Sequence, residues 1–171
     1  KHRVVASPRS AIEDFGSMTV LLSDKTGTLT SSETAVASVV DVFGRPSSSV
    51  GELASINSAT QTGIRSPLDE AILRAHSCTA SDYRKLDEIP FDFERRSLSV
   101  LVERSGEGVL ISKGAPESVM QRCTRYELAD EIHPFDDSSR AAATHTCNYL
   151  GQQGLRVLAV AYRRLANQQR C

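Results

Sequence analysis

Between residues 97 and 113 the chain consists of two apolar, β-branched runs hinged on Ser105-Gly106-Glu107-Gly108. A connection that short can only fold the second run back beside the first, so 97–104 and 109–113 predict an antiparallel hairpin. That hairpin fixes the sheet type for its neighbours. Residues 84–90 read as a further strand before it, and 155–163 as the last strand of the chain, after Gly154. Pro116 opens a short helix through Arg122, and 127–132 read as strand and turn. Phe135-Asp136-Asp137 then caps a longer helix to about Gln152. Upstream, 34–43 is β-branched and reads as the first strand of the main domain, followed by a turn at 44–48. Ser49-Val50-Gly51-Glu52 has the form of a capping box, with Leu53, Ile56 and Thr60 at helical spacing, so a helix is expected to about Gln61 and a stop at Gly63. Ser66-Pro67-Leu68-Asp69 opens a second helix to about His76, with Pro at its first position. Hairpin-joined strands with helices between them predict an α+β fold: a mainly antiparallel sheet flanked by helices.

Composition limits what such a fold can do. The chain has 171 residues, 40% of them hydrophobic, enough for one well-packed domain with an appendage. A net charge of −1, with the basic residues spread along the chain, gives no electrostatic reason to expect nucleic acid or an anionic membrane as partner. No apolar run approaches the roughly 18 residues that a membrane-spanning helix requires, so no direct membrane contact by this segment is expected. Cys78, Cys123, Cys147 and Cys171 form no Cys-x-x-Cys and have no His at zinc spacing, so reduced thiols are expected.

One stretch carries chemistry. The apolar run 18–22 leads into Ser23-Asp24-Lys25-Thr26-Gly27-Thr28-Leu29-Thr30. A short β-rich run that stops at a carboxylate and then breaks into small residues displays Asp24 at the end of a strand. A carboxylate so placed can attack a phosphoryl group, given a cation and donors such as Lys25, Thr26 and Thr28. Phosphatases of this general design carry a second acid two positions after the nucleophile. Thr26 stands there, which favours a lasting acyl phosphate.

At these residues the chain resembles the P-type ATPases, ion pumps that phosphorylate the Asp of this string. The resemblance continues through Ile89-Pro90-Phe91-Asp92-Phe93-Glu94-Arg95-Arg96-Ser97-Leu98-Ser99-Val100, Lys113-Gly114-Ala115-Pro116-Glu117 and Gly154-Leu155-Arg156-Val157-Leu158-Ala159. The wording Pro-Phe-Asp-Phe-Glu-Arg-Arg is nearest the bacterial magnesium-transporting branch. The resemblance implies three parts: 1–30, a fragment of the phosphorylation domain and its linker; 31–165, a nucleotide-binding domain; and 166–171, a tail returning toward the phosphorylation domain. It further implies a segment on the cytoplasmic face of a multi-pass pump, partnered by the phosphorylation, actuator and transmembrane domains, that binds ATP but turns over little alone. Cut from its sheet, the strand 19–23 is expected to lack edge neighbours.

The chain has neither a P-loop nor a Rossmann glycine turn, so another grip on ATP is needed. By resemblance, Phe91 stacks on adenine, with Phe93 competing for that place, where calcium pumps carry an Arg. Lys113 reaches the base or the phosphates, and Gly114 permits close approach. Arg96 matches a basic residue of the family's motif and Arg156 one near the phosphates, an exposed or carboxylate-paired Arg being the other reading of each, and Asp69 matches the acid that accepts from the adenine amino group, although a helix-capping role explains it equally well. Asp24 and Thr26 would hold Mg2+ in a complete phosphorylation domain. Two other readings stand beside this one: a haloacid-dehalogenase-like phosphatase using Asp24, and a regulatory domain that does not bind nucleotide.

Overall fold

The computed structural model describes residues 16–20, 22–23, 33–63, 65–76 and 82–165. The chain divides into two compact units, Lys1–Glu33 and Thr34–Cys171. In the first, Met18, Val20 and Leu22 are exposed, and the described residues of the expected strand 19–23 carry no strand. A strand forms only where a neighbouring strand supplies ladder partners. Asp24, Lys25 and Thr26 lie outside the described residues.

The second unit is built on a four-stranded antiparallel sheet in the order β1-β2-β3-β6. Its strands are β1 (Arg84–Asp92), β2 (Ser97–Arg104), β3 (Glu107–Gly114) and β6 (Ala159–Leu165). The expected hairpin is there, with Ser97 opposite Gly114 and Arg104 opposite Glu107. Period-two alternation places Leu98, Val100 and Val102 of β2, Val109, Ile111 and Lys113 of β3, and Val160 and Tyr162 of β6 on one face. Ile56 packs on that face from α1 (Ser48–Thr60), forming the core with Val100, Val102 and Ile111. Burying each of these four side chains contributes about 1.5–3 kcal/mol. Asn57 pins α1 to the sheet by donating to the Ile111 carbonyl at 2.9 Å.

α1 starts on Ser47, not on Ser49, and no side chain caps it. The expected capping box is absent because the helix already begins at Ser48, which puts Ser49 inside its first turn, where its hydroxyl meets that of Ser47 at 3.1 Å. The stretch 34–43 is also no strand: its one bridge joins Val40 to Pro46. Asp41 diverts it. Its carboxylate accepts from the backbone N–H of Phe43 at 2.8 Å and of Arg45 at 3.0 Å, closing a tight turn with Gly44 at φ 81°. Local side-chain bonding of this kind competes with the ladder and wins.

α2 (Pro67–Ala75) and α1 lock together where Gly51 meets His76. A Cβ on Gly51 would stand 2.6 Å from the imidazole Cε1, so the ring lies directly on the glycine. Farther on, α3 (Pro116–Met120) is followed by a second, two-stranded sheet, β4 (Arg125–Leu128) and β5 (Glu131–Pro134), and by α4 (Asp137–Gln152). The β4–β5 turn places Ala129 and Asp130 at φ 50° and 67°, the left-handed pair that a two-residue hairpin demands. Asp136 caps α4 as expected, accepting from the Ser139 N–H at 2.8 Å. Arg140 of α4 ties the region together: it stacks on Phe135 and donates to the carbonyls of Phe135, Met120 and Cys123.

Candidate functional site

The only ion pair of the described residues in which both side chains are over nine-tenths buried is Lys113–Asp69, at 2.5 Å. Lys113 comes from the end of β3, and alternation turns its side chain to the α1 face beyond Ile111. Asp69 comes from the first turn of α2. There Ser66 and Asp69 form the reciprocal capping box anticipated from the sequence: the Ser66 hydroxyl accepts from the Asp69 N–H at 3.3 Å while the Ser66 N–H donates back to Oδ2 at 3.0 Å. Between the acid and the base stands Ser58 of α1, fully buried. Its hydroxyl accepts from Lys113 Nζ at 2.6 Å and donates to Asp69 Oδ1 at 3.1 Å. Three elements far apart in sequence thus meet at one hydroxyl.

The electrostatics follow from burial set against pairing. Burial by itself pushes the Asp69 carboxyl up, but the hydrogen bond from Lys113, then those from Ser66 and Gln61, hold it well below the usual carboxylate range. Burial draws the Lys113 ammonium down, and Asp69 opposes that shift. The result is a desolvated, hydrogen-bonded ion pair.

The same end of the sheet has an open side. β1 is an edge strand, and its register slips between Ile89, opposite Ser99, and Asp92, opposite Ser97. Phe91 stands in that slip, beside the row that joins Leu98 to Lys113. It is 52% exposed, so it is not a core residue at a strand end. Phe93, 88% exposed, lies past the end of β1 and meets Phe91 edge to face with ring centres 5.3 Å apart. The two rings form one apolar corner.

The turn after them is tightly specified. Asp92 accepts from the Arg95 N–H at 2.7 Å, Arg96 stands at φ 48°, and its carbonyl accepts from the Ala115 N–H at 2.9 Å. The Arg96 guanidinium pairs with Glu117, so the two motif stretches 89–100 and 113–117 grip one another. Gly114 is required by this grip: a Cβ there would stand 2.6 Å from the Cβ of Ser97 and nearer still to the Arg96 carbonyl. Arg156 is exposed between α4 and β6. Thus Asp69 and Lys113 come into direct contact, Phe91, Arg96 and Gly114 gather at the same sheet end, and no contact joins Arg156 to them. Sequence reasoning missed Ser58, which carries no motif, and Glu117 as the partner of Arg96. It also missed a latch in which Glu88 accepts from the Thr62 N–H at 2.9 Å and from Lys85, tying β1 to the loop before α2. No group of three His, Cys, Asp or Glu that could hold a metal ion occurs among the described residues.

A four-stranded antiparallel sheet with helices on it accords with the family whose description is P-type ATPase, cytoplasmic domain N. That family's model matches residues 29–170, and the chain belongs to the family. Over 94% of its length it is 40% identical to the "Magnesium-transporting ATPase, P-type 1" of Salmonella typhimurium strain LT2, of which it covers 18%. It is also 32% identical over 94% of its length to the "Probable proton ATPase 1A" of Leishmania donovani, covering 16% of it, and 25% identical to the "Calcium-transporting ATPase" of Bacillus subtilis, covering 23%. The chain therefore spans less than a quarter of the length of these relatives.

Proposed function

We propose that this chain is the ATP-binding domain of a magnesium-transporting P-type pump, acting at the cytoplasmic face of a membrane. The observation that carries the reading is the pairing of a water-excluded cation, Lys113, with an exposed aromatic corner at Phe91 on one end of one sheet. A purine needs a ring face for stacking and a small number of fixed polar groups at its edge. Phe91 supplies the face. Lys113 supplies a donor held in place by Asp69 and Ser58, Arg96 joins the two motif stretches, and Arg156 is assigned to the phosphates. Higher identity to a magnesium transporter than to the proton and calcium relatives supports the choice of ion.

In the complete pump the base is held by this domain and the γ-phosphate passes to Asp24, with Lys25 and Thr26 beside it. Magnesium, assigned to Asp24 and Thr26, neutralises phosphate charge when bound. The remaining partners are the phosphorylation, actuator and transmembrane domains of the same chain. Among the described residues no helix is long and apolar enough to cross a membrane.

One stacked base contributes about 1–3 kcal/mol, so millimolar binding (about 4 kcal/mol) is expected for the domain alone. An NMR titration with ATP tests this. Shifts should cluster on 89–93 and 113–114 and vanish in Phe91→Ala with the fold intact. Unchanged affinity in that variant would move the base elsewhere, and no shift at all, together with no ATP-dependent change in melting temperature, would favour a regulatory domain.

A further inference from the structure

We infer that Glu88 is a positioning residue for the nucleotide, fixing the distance between the Phe91 ring face and the Lys113–Asp69 slot by tying edge strand β1 to the loop that leads into α2; this rests on the nucleotide reading above. The ladder cannot do this by itself. Between Ile89, opposite Ser99, and Asp92, opposite Ser97, the two residues Pro90 and Phe91 stand against the single Leu98, which makes a bulge. Pro90 has no N–H to donate, and among the described residues β1 has no strand on its outer side. The segment that carries the ring is held by an interrupted ladder and by the Arg95 guanidinium, which donates to the Pro90 carbonyl at 3.0 Å.

Glu88 adds an anchor three residues before the ring. It stands opposite Val100, whose side chain packs with Ile56 of α1, so its own side chain turns to the face that carries Lys113; it is only 10% exposed. There Oε2 accepts from the Thr62 N–H at 2.9 Å, from the Thr62 hydroxyl at 2.8 Å and from Lys85, whose ammonium also donates to that hydroxyl at 3.2 Å. Burial pushes the Glu88 carboxyl up, but the bonds from Lys85 and Thr62 outweigh it and hold the group below the ordinary carboxylate range. The point of attachment matters. Thr62 lies between Gln61, whose side chain bonds the Asp69 carboxylate, and Ser66, which caps α2 together with Asp69. A single carboxylate oxygen thus joins the strand that carries the aromatic shelf to the loop whose two ends hold the acid of the slot. A purine that must meet ring and slot together gains affinity when their spacing is set before it arrives.

The test uses NMR on the 171-residue chain. In Glu88→Ala the dissociation constant for ATP should rise about fivefold, roughly the effect of one lost hydrogen bond. Glu88→Gln keeps an acceptor oxygen for the Thr62 N–H and should bind ATP within about twofold of the native chain. Linkage supplies a second measurement that needs no variant: if the closed latch favours ATP by a given factor, ATP favours the closed latch by the same factor. Hydrogen exchange at the Thr62 amide of the native chain should therefore slow about fivefold at saturating ATP. Three results overturn the inference and leave the nucleotide reading intact. Unchanged ATP affinity in a folded Glu88→Ala, even with a lowered melting temperature, makes the carboxylate a structural group only. Glu88→Gln weakening ATP as much as Glu88→Ala removes the route through Thr62. Exchange at Thr62 that ignores ATP removes the coupling, and this outcome decides the matter even if Glu88→Ala fails to fold. Absence of any ATP-dependent shift in the native chain removes the nucleotide reading itself, and the inference with it.

Discussion

The two sides of the sheet end differ in almost every physical respect. At Lys113 the polar groups are buried and hydrogen-bonded to one another, and each is held from more than one direction. At Phe91 the surface is open, the strand is an edge, and two exposed rings rest on each other. The first side loses little freedom when a ligand arrives, because folding has already ordered it. The second keeps apolar surface in water, of a kind that a flat partner would cover. A binding site built this way takes its geometry from the enclosed side and much of its affinity from the exposed one.

Removing one member of the enclosed pair breaks that comparison most directly. Lys113→Met leaves Asp69 charged and unpaired, and should cost about 3–5 kcal/mol in urea or guanidinium unfolding. Pairing it with Asp69→Leu should recover much of the loss, since a well-packed apolar pair often replaces a buried ion pair at little cost. A single loss under about 1 kcal/mol would mean the pair is less enclosed than its geometry indicates.

Gly114→Ala comes next, at about 1–3 kcal/mol, because its Cβ meets the backbone of the neighbouring strand, which cannot swing aside. Gly51→Ala should cost less, since the atom it meets is the movable ring of His76.

The pH profile sharpens the same contrast. The Asp69 carboxyl lies below its ordinary range in the folded state, so its stabilising contribution is complete above the unfolded value of about 3.9. That contribution is lost as pH falls below that value toward the lower folded pKa. Acid unfolding followed by fluorescence or circular dichroism should therefore lose slope in this window in Asp69→Asn.

On the exposed side, Phe91→Ala should leave stability within about 1 kcal/mol while removing about 1–3 kcal/mol of nucleotide affinity. The same change at Phe93 should do less if Phe91 carries the stacking. Smallest of all, Arg96→Ala breaks a solvent-exposed ion pair with Glu117 and should shift stability by about 0.2–1 kcal/mol. Thermal denaturation at low and high salt would show whether that difference is electrostatic.

Much of the architecture could be read along the chain. The 97–114 hairpin, the Ser66-Asp69 capping box, the Asp136 cap and the α+β class all rest on contacts within a few residues, where spacing and residue type suffice. One failure was a local conflict settled by another local bond, as when Asp41 closed a turn inside a β-branched run; another was the strand expected at 19–23, whose described residues carry none. Of the site, the motif residues at 89–100 and 113–117 could be singled out, but not the purposes of all of them. Gly114 looked like room for a ligand, and the space beside it is filled by Arg96 and Ser97.

The amino-acid sequence by itself determined the hairpin, the starts of α2 and α4 and the family, because periodicity, caps and motif strings are properties of neighbouring residues. Only the tertiary structure decided that a serine 55 positions before Lys113 would bridge it to an acid 44 positions before it. Nothing in a residue's neighbours says which distant polar group it must satisfy. That is fixed when the packing of α1 and α2 on the sheet excludes water and brings those three groups together.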